Sequence, residues 1–188
     1  MPSIPAGRVA KAQVLYDRRV DSYLNIIGDR VALAWVLRNS MIGFPTTRRS
    51  EVDALKPGDE LFILSTRGCF RNPTRDRTRV IGRAILSTPV TFAKNPVELI
   101  GRTFDRIASL QIISLAPVLS GIELAPLVPQ LYAFPNKETW SIRLRRPLLR
   151  LPKADADLFR QLLNNIAEDP HTVLQGYLDI GKESLVSR

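Results

Sequence analysis

Lys56–Ser65, KPGDELFILS, followed after an arginine-rich loop by Arg79–Leu86, RVIGRAIL, is the stretch whose reading sets the fold. Lys-Pro-Gly-Asp is a tight turn, because Pro57 presets its own φ and Gly58 takes φ > 0 without steric cost. It feeds an apolar strand, Leu61–Leu64, that ends in Ser65 and Thr66. The loop beyond carries Arg67, Arg71, Arg75 and Arg77, with Asp76 as its only acid. In the second strand Gly82 interrupts an apolar run, the mark of a bulge or a tight bend in a barrel. A strand that brings small hydroxyls to the mouth of a cationic loop suits an anionic ligand better than it suits catalysis.

The rest of the composition narrows the classes. At 188 residues and 45% hydrophobic, the chain has room for one well-filled core. No apolar run reaches the roughly 18–20 residues of a membrane span, and Met1–Ala6 does not read as a signal peptide. Cys69 is the only cysteine and His171 the only histidine. They leave no internal disulfide and no cysteine-based metal site, and a catalytic triad, a zinc-water site and a His-based metal cluster are not expected. The expectation is a cytoplasmic protein with no cofactor and no catalytic metal, a monomer or weak dimer that does not contact membranes.

The formal net charge is +9. Such an excess favours polyanions through counterion release. Ordinary solubility would explain the charge alone, but its distribution favours nucleic acid. Arginines cluster at Arg48–Arg49, along Arg67–Arg83, and at Arg143, Arg145, Arg146 and Arg150. Guanidinium groups grip phosphate bidentately and stack on bases, which ammonium groups do less well.

Outward from the deciding stretch, helical spacing of apolar residues from Val9 to Ile27, stopped by Gly28, predicts a first helix. Val31–Leu37, VALAWVL, is continuously apolar and reads as a buried strand. Ser50 with Glu51 and Asp53 predicts a short helix before the turn. Asn95-Pro96 predicts a short helix to about Gly101. Arg106–Val118 predicts a long strand, and Gly121–Leu131 a helical turn or two. Glu138–Arg145, ETWSIRLR, alternates, with Trp140, Ile142 and Leu144 on one face. Asp155–Glu168 predicts a helix, followed by a short amphipathic tail. The fold class expected is α+β: a mixed β-barrel of five to six strands with short covering helices. The divisions are a helical extension over residues 1–30, a barrel domain over 31–168 and a tail over 169–188.

This order of elements resembles the EVE domain of the PUA-like superfamily, whose relatives include YTH and ASCH domains. The matching pieces are the segment with Trp35, the short helix, KPGDELFILS, RVIGRAIL, the strand at Ser109–Val118, and TWSIRLRRPLLRLPKADADLFRQLL. The match spans about Val31 to Ala167. Where the family often has an aromatic-His pair before the serine, this chain has Ile63 and Leu64. The resemblance implies nucleic-acid binding with a modified base, flipped out of its stack, held in a pocket. The implied pocket residues are Trp35, Asn39, Ser40, Ser65, Thr66, Trp140 and Ser141. A flipped base needs an aromatic platform and a few donors and acceptors for its edge. Arg67, Arg71, Arg75, Arg77 and Arg143 would hold flanking phosphates, and Phe70 is a stacking candidate.

Each site has a plainer reading. Trp35 and Trp140 fit core packing, Ser65 fits a strand end bonded to local backbone, and the arginines fit a solvated loop. Three function classes stay open: a reader of a modified base in DNA or RNA, a small ASCH-like hydrolase of a modified nucleoside, and a protein-interaction module. The hydrolase needs Lys or Thr clustered with Glu, and neither Lys56 nor Glu138 is so placed by sequence.

Overall fold

The computed structural model describes residues 20–47, 49–72 and 74–182. The expected N-terminal helix lies outside them, except that Ser22–Ile27 is a strand, β1. Strand β1 pairs in parallel with β3, Glu60–Ser65, and antiparallel with β8, Leu148–Leu151. Both of its faces are packed, Tyr23 and Ile27 in one core and Leu24 in another, which erases the alternation that would reveal a strand.

The remaining strands are β2 (Met41–Phe44), β4 (Arg79–Leu86), β5 (Thr91–Leu99), β6 (Arg102–Leu115) and the two-residue β7 (Ile122–Glu123). The curled sheet runs β2-β6-β4-β3-β1-β8, with β5 added beside β6 and β7 beside β4. One core fills the face that carries Tyr23, Ile27, Leu61, Ile63 and Ile81. A second fills the other, with Leu24, Phe62, Leu64, Phe134 and Phe159. The α+β curled barrel is the architecture the sequence led us to expect, and KPGDE forms the anticipated turn. Gly58 has φ of 95°, its N–H donates to the Leu86 carbonyl at 2.7 Å, and Asp59 accepts from the Lys56 N–H at 2.8 Å.

Gly82 sits at the expected bulge. The β3–β4 register skips Ile81, pairing Ile63 with Gly82 and then Leu64 with Val80. A Cβ at Gly82 would lie 2.8 Å from the Ser114 carbonyl oxygen and 2.9 Å from Leu115 Cδ1. Gly82→Ala is therefore expected to cost about 1–3 kcal/mol by overpacking. A urea midpoint equal to wild type would refute that close approach.

Three further segments depart from their expected form. Arg30–Asn39 is a helix, α1, not a strand. Asp29 caps it, accepting the Val31 N–H at 2.7 Å, and Leu33, Val36 and Leu37 are buried at helical spacing. Its apolar run is continuous because α1 is covered on a second side by α4, Pro170–Lys182, where a Cβ on Gly181 would come within 2.5 Å of Ala34 Cβ. Residues 95–99 belong to the exposed edge strand β5, and Pro96 is tolerated there beside a register shift between Phe92 and Val97. Trp140–Arg145 is a 3-10 helix instead of a strand. Asn136 Oδ1 accepts the N–H groups of Glu138 and Thr139, starting the turn. Ile142, expected on the buried face, is exposed.

Two further helices complete the body: α2, Ser50–Asp53, and α3, Lys153–Asn164. Among the described residues no helix is long and apolar enough to cross a membrane.

Candidate nucleic-acid interface

Strand β1 ends at Ile27, α1 starts at Arg30, and β2 returns beside them. These three elements bound a cleft of about 780 Å³. Asn25, Ile27, Ile42 and Phe44 line the floor, while Asp29, Ala32 and Trp35 of the α1 segment make one wall. The tip of the β5–β6 hairpin makes the second wall, and Leu144–Pro147 the third. Gly43 lets the hairpin close in, since a Cβ there would be 3.1 Å from that of Phe104.

The floor is not wholly apolar. Asn25 shares the face of Tyr23 and Ile27, is 4% exposed, and its Nδ2 has no hydrogen-bond partner. A buried amide donor without an acceptor costs on the order of 1–3 kcal/mol, so its presence calls for a reason. Four arginines, Arg49, Arg102, Arg145 and Arg146, also line the cleft. Arg146 pairs with Glu51 at 2.8 Å. Among the described residues, Arg49, Arg102 and Arg145 have no acidic group within ion-pair distance. Asp29 is the single acid on the lining, and it is committed to capping α1 and to Arg71 at 3.6 Å.

The structure brings together some of the sequence candidates and disperses others. Trp35 and Thr66 line the cleft, with Thr66 Oγ1 beside Gly28. Arg71 reaches its edge through Asp29, and Arg143 is half-buried on the 3-10 helix just before the third wall. Ser65 is fully buried within β3 and does not line the cleft. Asn39 lies exposed at the end of α1, where its Nδ2 donates to the Trp35 carbonyl at 2.8 Å. Ser40 ends that helix with φ of 49° and faces a second cleft of about 440 Å³ beside His171. Trp140 stands edge-on to Phe134 in the second core, and Ser141 is exposed nearby. Arg67, Arg75 and Arg77 are exposed on the arginine loop. Phe70 is half-buried against the main core instead of standing free. Sequence reasoning missed Asn25, whose strand was read as the end of a helix. Arg49, Arg145 and Arg146 were visible as charge clusters but not as a rim.

The base of the arginine loop is closed by Cys69. Its carbonyl accepts the Arg30 N–H at 2.9 Å, its side chain is fully buried, and burial, then the charges of Asp29 and Asp76, pushes the thiol up to about 12. At pH 8 about one thiol in ten thousand would be ionised. Iodoacetamide is therefore expected to leave the native protein unlabelled for hours and to label it at once in denaturant. Rapid native labelling would mean that this loop opens readily.

Among known proteins, solved structures bear on the fold. No protein-family model matches this chain, and no curated protein does. A crystal structure of the YTH domain of Mmi1 superposes with a TM-score of 0.55 at 9% identity, over 78% of this chain and 90% of that one. The same domain in complex with RNA gives 0.54 at 9% identity, over 80% and 85%. A Pseudomonas putida protein gives 0.50 at 14% identity, over 75% and 98%. This chain has a PUA-like fold.

Proposed function

We propose that this protein reads a modified base in nucleic acid, holding it flipped out in the cleft of Trp35 and Asn25, and that it belongs to the EVE branch of the PUA-like fold. The unpartnered Asn25 amide carries the reading. It sits on the floor of a half-apolar cleft, where the acceptor on a base edge would satisfy it. Trp35 supplies the stacking face, Thr66 a second polar contact, and Arg49, Arg102 and Arg145 the cationic rim for flanking phosphates. The RNA complex of the Mmi1 YTH domain supports a nucleic-acid ligand for this fold. KPGDELFILS and RVIGRAIL, whose turn and Gly-centred strand take the form the EVE resemblance implies, support the EVE branch. A hydrolase would need a carboxylate free for proton transfer, and Asp29, the acid on the lining, is already engaged at the helix cap.

Binding then divides into a phosphate term and a base term. Arg102→Ala with Arg145→Ala is expected to weaken every oligonucleotide about equally and to lower the salt slope by about one per lost contact. Trp35→Leu keeps apolar packing but removes the stacking face, so about 1–3 kcal/mol of preference for the modified base should disappear. The measurement is a salt titration by fluorescence anisotropy with paired modified and unmodified oligonucleotides. A folded Trp35→Leu protein that keeps full discrimination would overturn the pocket assignment. Failure of the wild type to bind any oligonucleotide at low salt would overturn the reader function itself.

A further inference from the structure

The hairpin wall of the cleft ends in a two-residue turn, Ile100-Gly101, between the paired residues Leu99 and Arg102. Both turn residues have positive φ, 49° and 71°. A turn with two positive φ values prefers Asn-Gly or Asp-Gly, because a β-branched side chain clashes with its own backbone there. Among the described residues four non-glycines have positive φ, Ser40, Arg71, Ile100 and Leu119, and Ile100 is the only β-branched one. It is also 40% exposed, so the protein holds an apolar side chain in an unfavourable conformation, partly in water, beside the mouth of the cleft. Neither hairpin stability nor core packing accounts for that choice.

Resting on the reader function above, we propose that Ile100 is a wedge that fills the gap left in a double helix when the base is drawn into the cleft, so that the protein acts on duplexes. Extruding a base leaves its neighbours unstacked around a void, and apolar side chains that enter such steps recover part of the lost contact. The position fits the task. Leu99 and Ile100 lie on the wall that the extruded nucleotide passes, and Arg102 follows two residues later on the same wall to meet a phosphate. On a single strand the base enters without leaving a paired partner behind, and the wedge has nothing to fill. An Asn-Gly turn would then serve the hairpin better.

That contrast supplies the test. Ile100→Asn installs the residue the turn prefers, so its melting temperature should equal or exceed that of the wild type. Wild type and variant are compared on short DNA carrying one 5-methylcytosine, 5-hydroxymethylcytosine or N6-methyladenine, both single-stranded and as a duplex, with unmodified controls. The expected result is single-strand affinity within about twofold of wild type and duplex affinity lowered about tenfold or more, the loss shrinking when the target base is mismatched. Equal behaviour of the two proteins on duplexes, with wild-type discrimination intact on single strands, would overturn the wedge and leave the reader standing. Absence of modified-base discrimination by the wild type in either form would overturn the wedge and, for DNA, the reader function.

Discussion

Glu60→Ala should destabilise this protein more than any other single polar substitution, by about 2–4 kcal/mol. Glu60 follows the KPGD turn, at the first position of β3, and is 3% exposed. It accepts from Ser22 Oγ at 2.8 Å and from Arg160 Nε and a terminal nitrogen, both at 2.9 Å. Arg83 Nε lies 2.7 Å from its other side, although at an angle that does not make a good hydrogen bond. One carboxylate thus joins β1, β3, β4 and α3. Its removal would leave two guanidinium groups facing each other and a buried hydroxyl without its acceptor. The range is set below that for a fully buried pair because Arg83 and Arg160 are each about a third exposed, and water screens what remains.

Arg160→Ala should cost less, since Glu60 would keep Arg83 and Ser22. Urea unfolding of the two single variants and the double variant measures the coupling directly. A cost below about 1 kcal/mol for Glu60→Ala would mean that the cluster is ornamental. Stability of only about 5–15 kcal/mol is usual for a domain, so a loss near the upper figure should also lower soluble yield.

Why the turn and its two strands were legible while other segments were not has a physical answer. KPGDELFILS and Gly82 declare themselves locally: proline and glycine fix backbone angles, and the structure obeys them whatever surrounds them. VALAWVL and SYLNII carry no such instruction. Each is covered on both sides, α1 by the sheet and α4, β1 by the core around Tyr23 on one face and the core around Leu24 on the other. Burial on both sides removes the periodicity that separates helix from strand. Asp29 was the discriminating signal for α1, a side-chain cap one residue before its first turn. ETWSIRLR alternates in sequence, but Trp140 and Leu144 also stand four apart, and Asn136 settles the matter by starting a helical turn. The site inherits these errors. Trp35 and Thr66 entered through the family resemblance and lie on the cleft lining, whereas Asn25 was hidden inside a misread element.

Asn25 is also where stability and function should separate most sharply. Asn25→Leu replaces a buried amide by an apolar group of similar size, between Ile63 and Leu148 on the neighbouring strands. Because the wild-type Nδ2 is desolvated and unpartnered, its removal should raise stability by about 1–2 kcal/mol. The same change should abolish preference for a modified base, because it removes the donor proposed to meet the base edge, while arginine-driven attachment persists. Most substitutions on a cleft floor lower stability and binding together. Opposite movement of the two quantities is the signature of a polar group kept for its ligand. Thermal melting and anisotropy on one preparation of protein read both. A variant that melts lower than wild type would mean that Asn25 is a structural residue, and retained discrimination would move the base contact elsewhere in the cleft.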